Sequence, residues 1–390
     1  MYKNIEIERR PYASEEHNLV RDAIDQFLAK EAIPNYERWE KEKMIPKNFW
    51  KQMGEQGFLC MDMPAEYGGG GFDFTFSALI LERCRHAGVD FGIAVHSDIV
   101  APYVLNYGTE AQKKEYLPKM ATGEAIGAIG MSEPSAGSDL KALKTTAEDK
   151  GDHYLVNGSK TFITNGYVCD FVLCAVRTNV GTPQEGISLM FIDKDLEGFT
   201  TGQPFDKLGA KAQDTCELFF EDVKVPKDKL LGEEGMGFKY MMTELPRERL
   251  GIAIEAVASA SGALDQTLQY VTERRAFKKA LYEFQNTQFK LADCAAELQV
   301  YHSYMDHCIE LQAAHKLTPT QGSIAKLKAT EMYSKVVDEC LQLHGGYGFI
   351  WEYSIARSYA ASRVTRIYGG TSEIMKLIIS RALFREFHKR

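Results

Sequence analysis

The chain reads as an α+β protein in which a helical stretch, a β-rich stretch and a second helical stretch follow one another. Apolar residues recur at helical spacing up to about residue 125. From about 126 to 235, β-branched and aromatic residues rise and turn signals become frequent; from 236 the helical period returns. A length of 390 residues exceeds one simple core, so the texture predicts a helical domain over 1–125, a small antiparallel β-domain over 126–235 and a helical domain over 236–390.

In the first segment, Leu19, Ala23, Ile24, Phe27 and Leu28 recur at helical spacing, and Pro34 is expected to end that helix. The loop Gly68–Gly71 has glycines enough for a phosphate, but no strand precedes it and no dinucleotide fingerprint follows. Helical texture resumes at Phe76 and runs to about Thr122. In the β segment, Asn157-Gly158 between apolar-containing arms predicts a hairpin with a type I′ turn. Further strands are predicted over 171–176, 187–192 and 217–225. In the last segment Leu264, Leu268, Val271, Phe289, Leu291, Ala295 and Leu298 suit long packed helices. Pro246 should kink or delimit the first of them, and 315–320 should form a turn between two others.

Bulk properties restrict the function. Charged residues make up 26% of the chain, the net charge is −8 and the pI is about 5.7, an acidic balance that argues against nucleic acid as partner. The eight cysteines are scattered without a CxxC pair, and only His307 lies beside one, at Cys308, a spacing poorly suited to joint metal ligation. They read as reduced, partly buried thiols, and no metal site is expected. The N-terminus is charged from the start and no apolar run approaches a membrane span. A soluble, cytoplasmic protein with no membrane partner is the expectation.

Several segments carry candidate chemistry. Met131-Ser132-Glu133-Pro134-Ser135-Ala136-Gly137-Ser138-Asp139 is a polar turn that could hold a ring edge or simply join two elements. Arg274, Arg275, Lys278 and Lys279 form a basic helix end that could be only a solvated face, and Gln342–Gly348 could be only a helix end with a glycine cap. Tyr368-Gly369-Gly370-Thr371-Ser372-Glu373 fits a glycine loop opening a helix capped by Thr371 or Ser372.

Together and in this order these segments, with Lys160-Thr161-Phe162-Ile163-Thr164-Asn165-Gly166, resemble the acyl-CoA dehydrogenase family over essentially the whole chain. The resemblance implies that family's fold, with a four-helix bundle at the C-terminus, and FAD as cofactor. It implies flavin contacts from Ile129, Met131, Ser132, Ser138, Phe162, Thr164, Thr371 and Glu373. The family often has tryptophan where Phe162 stands, so a flat ring is kept. It also implies pyrophosphate contacts to a neighbouring subunit's FAD from Arg274, Phe277, Gln285 and the segment Gln342, Leu343, His344, Gly345, Gly346. A family glycine is replaced by Lys278. Ser138, Arg249, Gly369 and Gly370 are implied on the acyl-CoA side.

Many members have their catalytic glutamate where this chain has Gly369. Glycine cannot take a proton, so the base must lie elsewhere, with Glu244, Glu248 and Glu373 as candidates. In the long-chain and isovaleryl types it occupies the place of Glu248, whose plainer reading is an exposed carboxylate paired with Arg247 or Lys239. The implied reaction is α,β-dehydrogenation of an acyl-CoA to the trans-2-enoyl-CoA in fatty acid β-oxidation. Glu248 removes the α-proton, flavin N5 accepts the β-hydride, and the Gly369 N–H donates to the thioester oxygen. An electron-transferring flavoprotein is implied as acceptor and a homotetramer as the assembly. An acyl-CoA oxidase and a branched-chain-specific dehydrogenase are the competing readings. The motifs resemble long-chain types most.

Overall fold

A computed structural model describes residues 10–182 and 185–387; the charged start at 1–6 lies outside the described residues. Helices α1 (Glu15–Phe27), α2 (Ile33–Glu42), α3 (Lys47–Glu55), α4 (Phe74–His86), α5 (Ala101–Tyr107) and α6 (Glu110–Ala121) come first. Pro34 does not end the first helix. A π-helical turn, Leu28–Ala32, joins α1 to α2, and Pro34 falls in the first turn of α2, where its missing N–H is not needed. In the glycine loop after Tyr67, Cβ atoms on Gly69 and Gly70 would lie 2.3 and 2.6 Å from the Met63 and Met61 carbonyl oxygens. Those glycines let the chain pack on itself.

The strands are β1 (Gly127–Gly130), β2 (Thr146–Asp149), β3 (His153–Thr164), β4 (Phe171–Thr178), β5 (Gly186–Asp193), β6 (Phe199–Thr201), β7 (Thr215–Pro226) and β8 (Leu230–Leu231). They form one sheet in the order β6-β7-β3-β2-β4-β5-β8, with β1 also on β4. The sheet is mixed, because β1 and β2 both run parallel to β4 while the other pairings are antiparallel. Side-chain alternation explains why β4 is buried on both faces. Phe171, Leu173 and Ala175 pack with Tyr103, Tyr116 and Leu117 of the helices, while Val172, Cys174 and Val176 face the opposite layer.

The predicted Asn157-Gly158 hairpin is absent. β3 runs straight through both residues, and its register with β7 shifts between Val156 and Gly158. Asn157 spends its amide across the strands, donating to Asp222 Oδ1 and accepting from Asp222 N, both at 2.9 Å. Gly158, at φ 147°, is required by close approach, since a Cβ there would sit 2.5 Å from Thr145 Oγ1. A bulge thus uses the same dipeptide a turn would use.

The C-terminal part holds α7 (Gly237–Glu273), a small hairpin of β9 (Arg275–Ala276) and β10 (Lys279–Ala280), then α8 (Gln285–Ala313), α9 (Pro319–His344), α10 (Ser354–Ser362) and α11 (Ser372–Phe387). Pro246 lies inside α7 and does not delimit it. At that level α9 comes close, because a Cβ on Gly322 would be 2.7 Å from the Pro246 carbonyl oxygen. Leu264, Val271, Leu291 and Leu298 enter the main core, whereas Phe289 is 60% exposed. All eight cysteines are free and fully buried rather than partly so. Among the described residues no helix is long and apolar enough to cross a membrane, and no cluster of three metal-ligating side chains occurs.

Candidate active site

Glu248 lies in the first third of α7 and is buried, not exposed, and it pairs with neither Arg247 nor Lys239. Arg247 turns instead to Asp62 at 2.7 Å and Asp98 at 3.4 Å. The Glu248 carboxylate accepts from the Tyr103 hydroxyl at 3.0 Å. Burial pushes its pKa up to about 7; the Tyr103 bond pulls it down and nearby Glu244 pushes it further up. Glu244, one turn earlier, accepts from Asn106 Nδ2 at 3.0 Å and Tyr107 Oη at 2.8 Å. Two donors hold that carboxylate in place.

One turn beyond Glu248, the side chain of Ile252 faces the glycine loop. A Cβ on Gly369 would be 2.4 Å from Ile252 Cδ1. Gly369 and Gly370 have φ of 64° and 94°, a left-handed region that favours glycine. Arg249 Nε donates to the Gly369 carbonyl at 3.2 Å, and Lys326 Nζ donates to the Gly370 carbonyl at 2.6 Å. The loop opens α11, where Thr371 Oγ1 accepts from Ile374 N at 3.3 Å and so caps the helix. Glu373 is exposed in the first turn, and hydrogen bonds from its own N–H and from Thr371 hold its carboxyl below the usual range. Of the three candidate carboxylates it is the least suited to accept a proton.

The sheet contributes a second wall. Ile129, Met131 and Ser132 are half-buried where β1 ends, and Ser132 accepts from Thr161 N at 3.0 Å. Below them Glu133 and Lys160 form a buried pair at 2.8 Å, and Lys160 also donates to the Ala175 carbonyl at 2.6 Å. This pair ties the polar turn to β3 and β4. Phe162 is 71% exposed at φ 58°, with Phe205 at 5.7 Å between ring centroids. Thr164 is half-buried and Ser138 exposed.

The remaining predicted residues gather elsewhere. Arg274 follows the last residue of α7, and its guanidinium lies 5.6 Å from the Tyr347 ring. Tyr270 Oη donates to the His344 carbonyl at 3.2 Å, and their rings stack at 4.2 Å. His344 Nδ1 is 2.9 Å from the Cys340 carbonyl, which marks it as part of the helix end. Gly345 follows α9 with φ 58°, and Cβ atoms on Gly345 and Gly346 would meet nothing. Leu343 is half-buried, while Gln342, Gln285 and the 91%-exposed Phe277 are on the surface. Arg274 lies 26 positions beyond Glu248, roughly 39 Å at helical rise. Within one chain the two groups are therefore apart.

Lys326, Tyr103 and Ile252 were not singled out from sequence. Lys326 carried a usable signal, since it is a lysine among Gly322, Ser323, Ala325, Leu327 and Thr330, all buried on α9. Tyr103 carried none, because its partner is 145 positions away.

The chain matches three family models: "Acyl-CoA dehydrogenase, N-terminal domain" over residues 14–124, the middle domain over 128–223 and the C-terminal domain over 235–384. A helical, sheet, helical chain that matches these three domains is an oxidoreductase acting on acyl-CoA. It belongs to the acyl-CoA dehydrogenase family. The long-chain specific acyl-CoA dehydrogenase of Sus scrofa mitochondria is 42% identical over 381 residues, covering 97% of this chain and 88% of the relative. The crystal structure of an acyl-CoA dehydrogenase from Geobacillus kaustophilus is 49% identical with a TM-score of 0.93, covering 96% of this chain and 99% of that one. A glutaryl-CoA dehydrogenase from Mycobacterium smegmatis, in complex with FADH2, is 30% identical with a TM-score of 0.90 and 95% coverage of both chains.

Proposed function

We propose that the protein removes two hydrogens from Cα and Cβ of an acyl-CoA, giving the trans-2-enoyl-CoA, with Glu248 as the base. The observation that carries this reading is the contact of one α7 face with the loop: Glu248 is buried one turn from Ile252, and Ile252 packs at Gly369. A carboxyl poised at about pKa 7 is half ionised near neutral pH, the condition a general base needs. The Tyr103 hydroxyl holds the carboxylate oxygen, which fixes the direction in which it can take a proton. The Gly369 N–H donates to the thioester oxygen as negative charge develops there; one such donor contributes about 2.7–4 kcal/mol in a dry site. Ser138, Arg249 and Gly370 complete the acyl-CoA side.

The residues present fit FAD. Phe162 offers an exposed ring beside the half-buried backbone of Ile129–Ser132 and Thr164, and Thr371 and Glu373 stand at a helix start that accepts polar groups. Arg274 stands beside Tyr347 and the Gln342–Gly346 segment, with open space over Gly345 and Gly346, which suits a pyrophosphate. When bound, FAD supplies the two-electron acceptor. Because Arg274, Phe277, Gln285 and the 342–346 segment are so far from Glu248, we assign them to a neighbouring subunit's FAD, in a homotetramer. An electron-transferring flavoprotein takes the electrons onward, since the sequence has no second redox motif. We further assign the domain divisions 1–125, 126–235 and 236–390, a cytoplasmic location, a role in fatty acid β-oxidation, and acyl chains of the long type. The test is an anaerobic screen of acyl-CoAs of varied length and branching. Bleaching of bound FAD by long straight chains supports the reading, and no bleaching by any acyl-CoA contradicts it.

A further inference from the structure

Two cations stand behind the glycine loop. Lys326 is fully buried on α9 and donates at 2.6 Å to the Gly370 carbonyl; Arg249 is buried on α7 and donates at 3.2 Å to the Gly369 carbonyl. Among the described residues no carboxylate lies within 4.0 Å of either. The charged groups around Lys326 are Arg249 on α7, Arg366 in the turn before the loop and Glu373 on α11, so cations outnumber anions. A buried ammonium without a carboxylate is costly, and carbonyl dipoles compensate it only in part. Such a charge is retained where negative charge appears beside it.

Peptide geometry gives the second half of the argument. Gly369 and Gly370 are consecutive positive-φ glycines, the residues with the greatest backbone freedom. The Arg249 bond fixes the peptide plane between them and the Lys326 bond fixes the next one. Both held planes follow Gly369 directly, so the loop is anchored on the C-terminal side of the peptide that carries the Gly369 N–H.

We propose that Lys326 is a positioning residue which, with Arg249, holds the Gly369–Gly370 loop so that the Gly369 N–H meets the thioester oxygen, and whose positive charge stabilises the negative charge formed there. The inference rests on the assignment of Glu248 and the Gly369 N–H above. In the step concerned, the Cα–H bond breaks, its proton goes to the Glu248 carboxylate, and the electron pair moves toward the thioester oxygen. Burial and the neighbouring Arg249 bring the Lys326 pKa down to about 8, so it remains largely a cation at neutral pH.

The test uses FAD-loaded protein and acetoacetyl-CoA, a 3-oxoacyl-CoA that ionises at Cα without being oxidised. Its enolate, stacked on flavin, gives a long-wavelength absorption band whose pH midpoint reports the acidity of the bound ligand. Lys326→Met removes donor and charge, Lys326→Gln keeps a donor without the charge, and Lys326→Arg keeps the charge. The first two should move the midpoint upward by about one pH unit or more, a tenfold loss of acidity. Lys326→Arg should restore most of it. FAD content and urea midpoint of the Gln variant should stay near wild type. A wild-type pH midpoint in folded, FAD-replete Met and Gln variants overturns this proposal alone. Failure of both variants to form folded holoprotein also overturns it, because Lys326 then serves the fold. A wild-type protein that forms no enolate band overturns this proposal together with the Glu248 assignment.

Discussion

At the scale of the residue, the environment of Glu248 sets both its reactivity and its cost. A base must be ionised, so kcat/KM should fall about tenfold per pH unit below about 7 and level off above it, as a pH–rate profile would show. The same shift acts on stability with the opposite sense. Burial raises the Glu248 pKa from 4.5 to about 7, so the fold holds that proton more tightly than the unfolded chain does. Its contribution is present below 4.5 and lost as pH rises through about 7. Glu248→Gln, neutral throughout, should flatten this part of the urea midpoint's pH dependence. Gly369 makes a second residue-level case. The Ile252 δ-methyl can swing away from an added Cβ, but φ 64° remains. Gly369→Ala should therefore cost about 1–2 kcal/mol, read as a lower urea midpoint. A carboxylate placed at 369 would meet the same strain, so Gly369→Glu should not rescue Glu248→Gln.

At the scale of the element, the buried Lys160–Glu133 pair joins the polar turn after β1 to β3 and, through the Ala175 carbonyl, to β4. Lys160→Met leaves Glu133 buried without its cation and should cost about 3–5 kcal/mol in urea unfolding. Elements were legible in the sequence where one local signal decided them. The period of α7, α8 and α9 follows from apolar spacing, and β4, β5 and β7 from β-branched runs. Two readings failed where tertiary context chose among local options. Asn157-Gly158 suits a turn or a bulge, and Asp222 across the sheet selected the bulge. Pro34 can stop a helix or start one, and a π-helical turn let it start α2. Phe289 fails on spacing instead: two positions before buried Leu291, it lies on the opposite face of α8. In the proposed site, Glu248, Arg249, Gly369 and Gly370 were grouped only through the family resemblance, under which glycine at 369 sends the search to another carboxylate. Lys326 and Tyr103 were not, because only the packing of α9 and α5 on α7 brings them there.

At the scale of the whole molecule, exposed apolar side chains need a cover. Phe277 and Phe349 are each 91% exposed, Val300 69% and Phe289 60%, all on the C-terminal helical part that carries Arg274 and the 342–346 segment. Scattered exposure is ordinary, but Phe277 and Phe349 lie within a few residues of the proposed pyrophosphate contacts Arg274 and Gly346, which suits a contact between subunits. Sedimentation of the FAD-loaded protein should give a tetramer. Arg274→Ala should weaken FAD retention and assembly together, as the proposed bridging of subunits by the ligand requires; a variant that loses FAD yet sediments as wild type would separate the two.

The central claim is that the α-proton goes to Glu248. It is tested most directly by anaerobic single-turnover reduction of bound FAD by acyl-CoA, comparing wild type with Glu248→Gln and Glu244→Gln. The account predicts that Glu248→Gln stays yellow and still binds acyl-CoA, with flavin reduction slowed by orders of magnitude, whereas Glu244→Gln reduces its flavin at a rate much closer to wild type. Normal reduction in Glu248→Gln, with loss in Glu244→Gln, would contradict it and move the base one turn up α7.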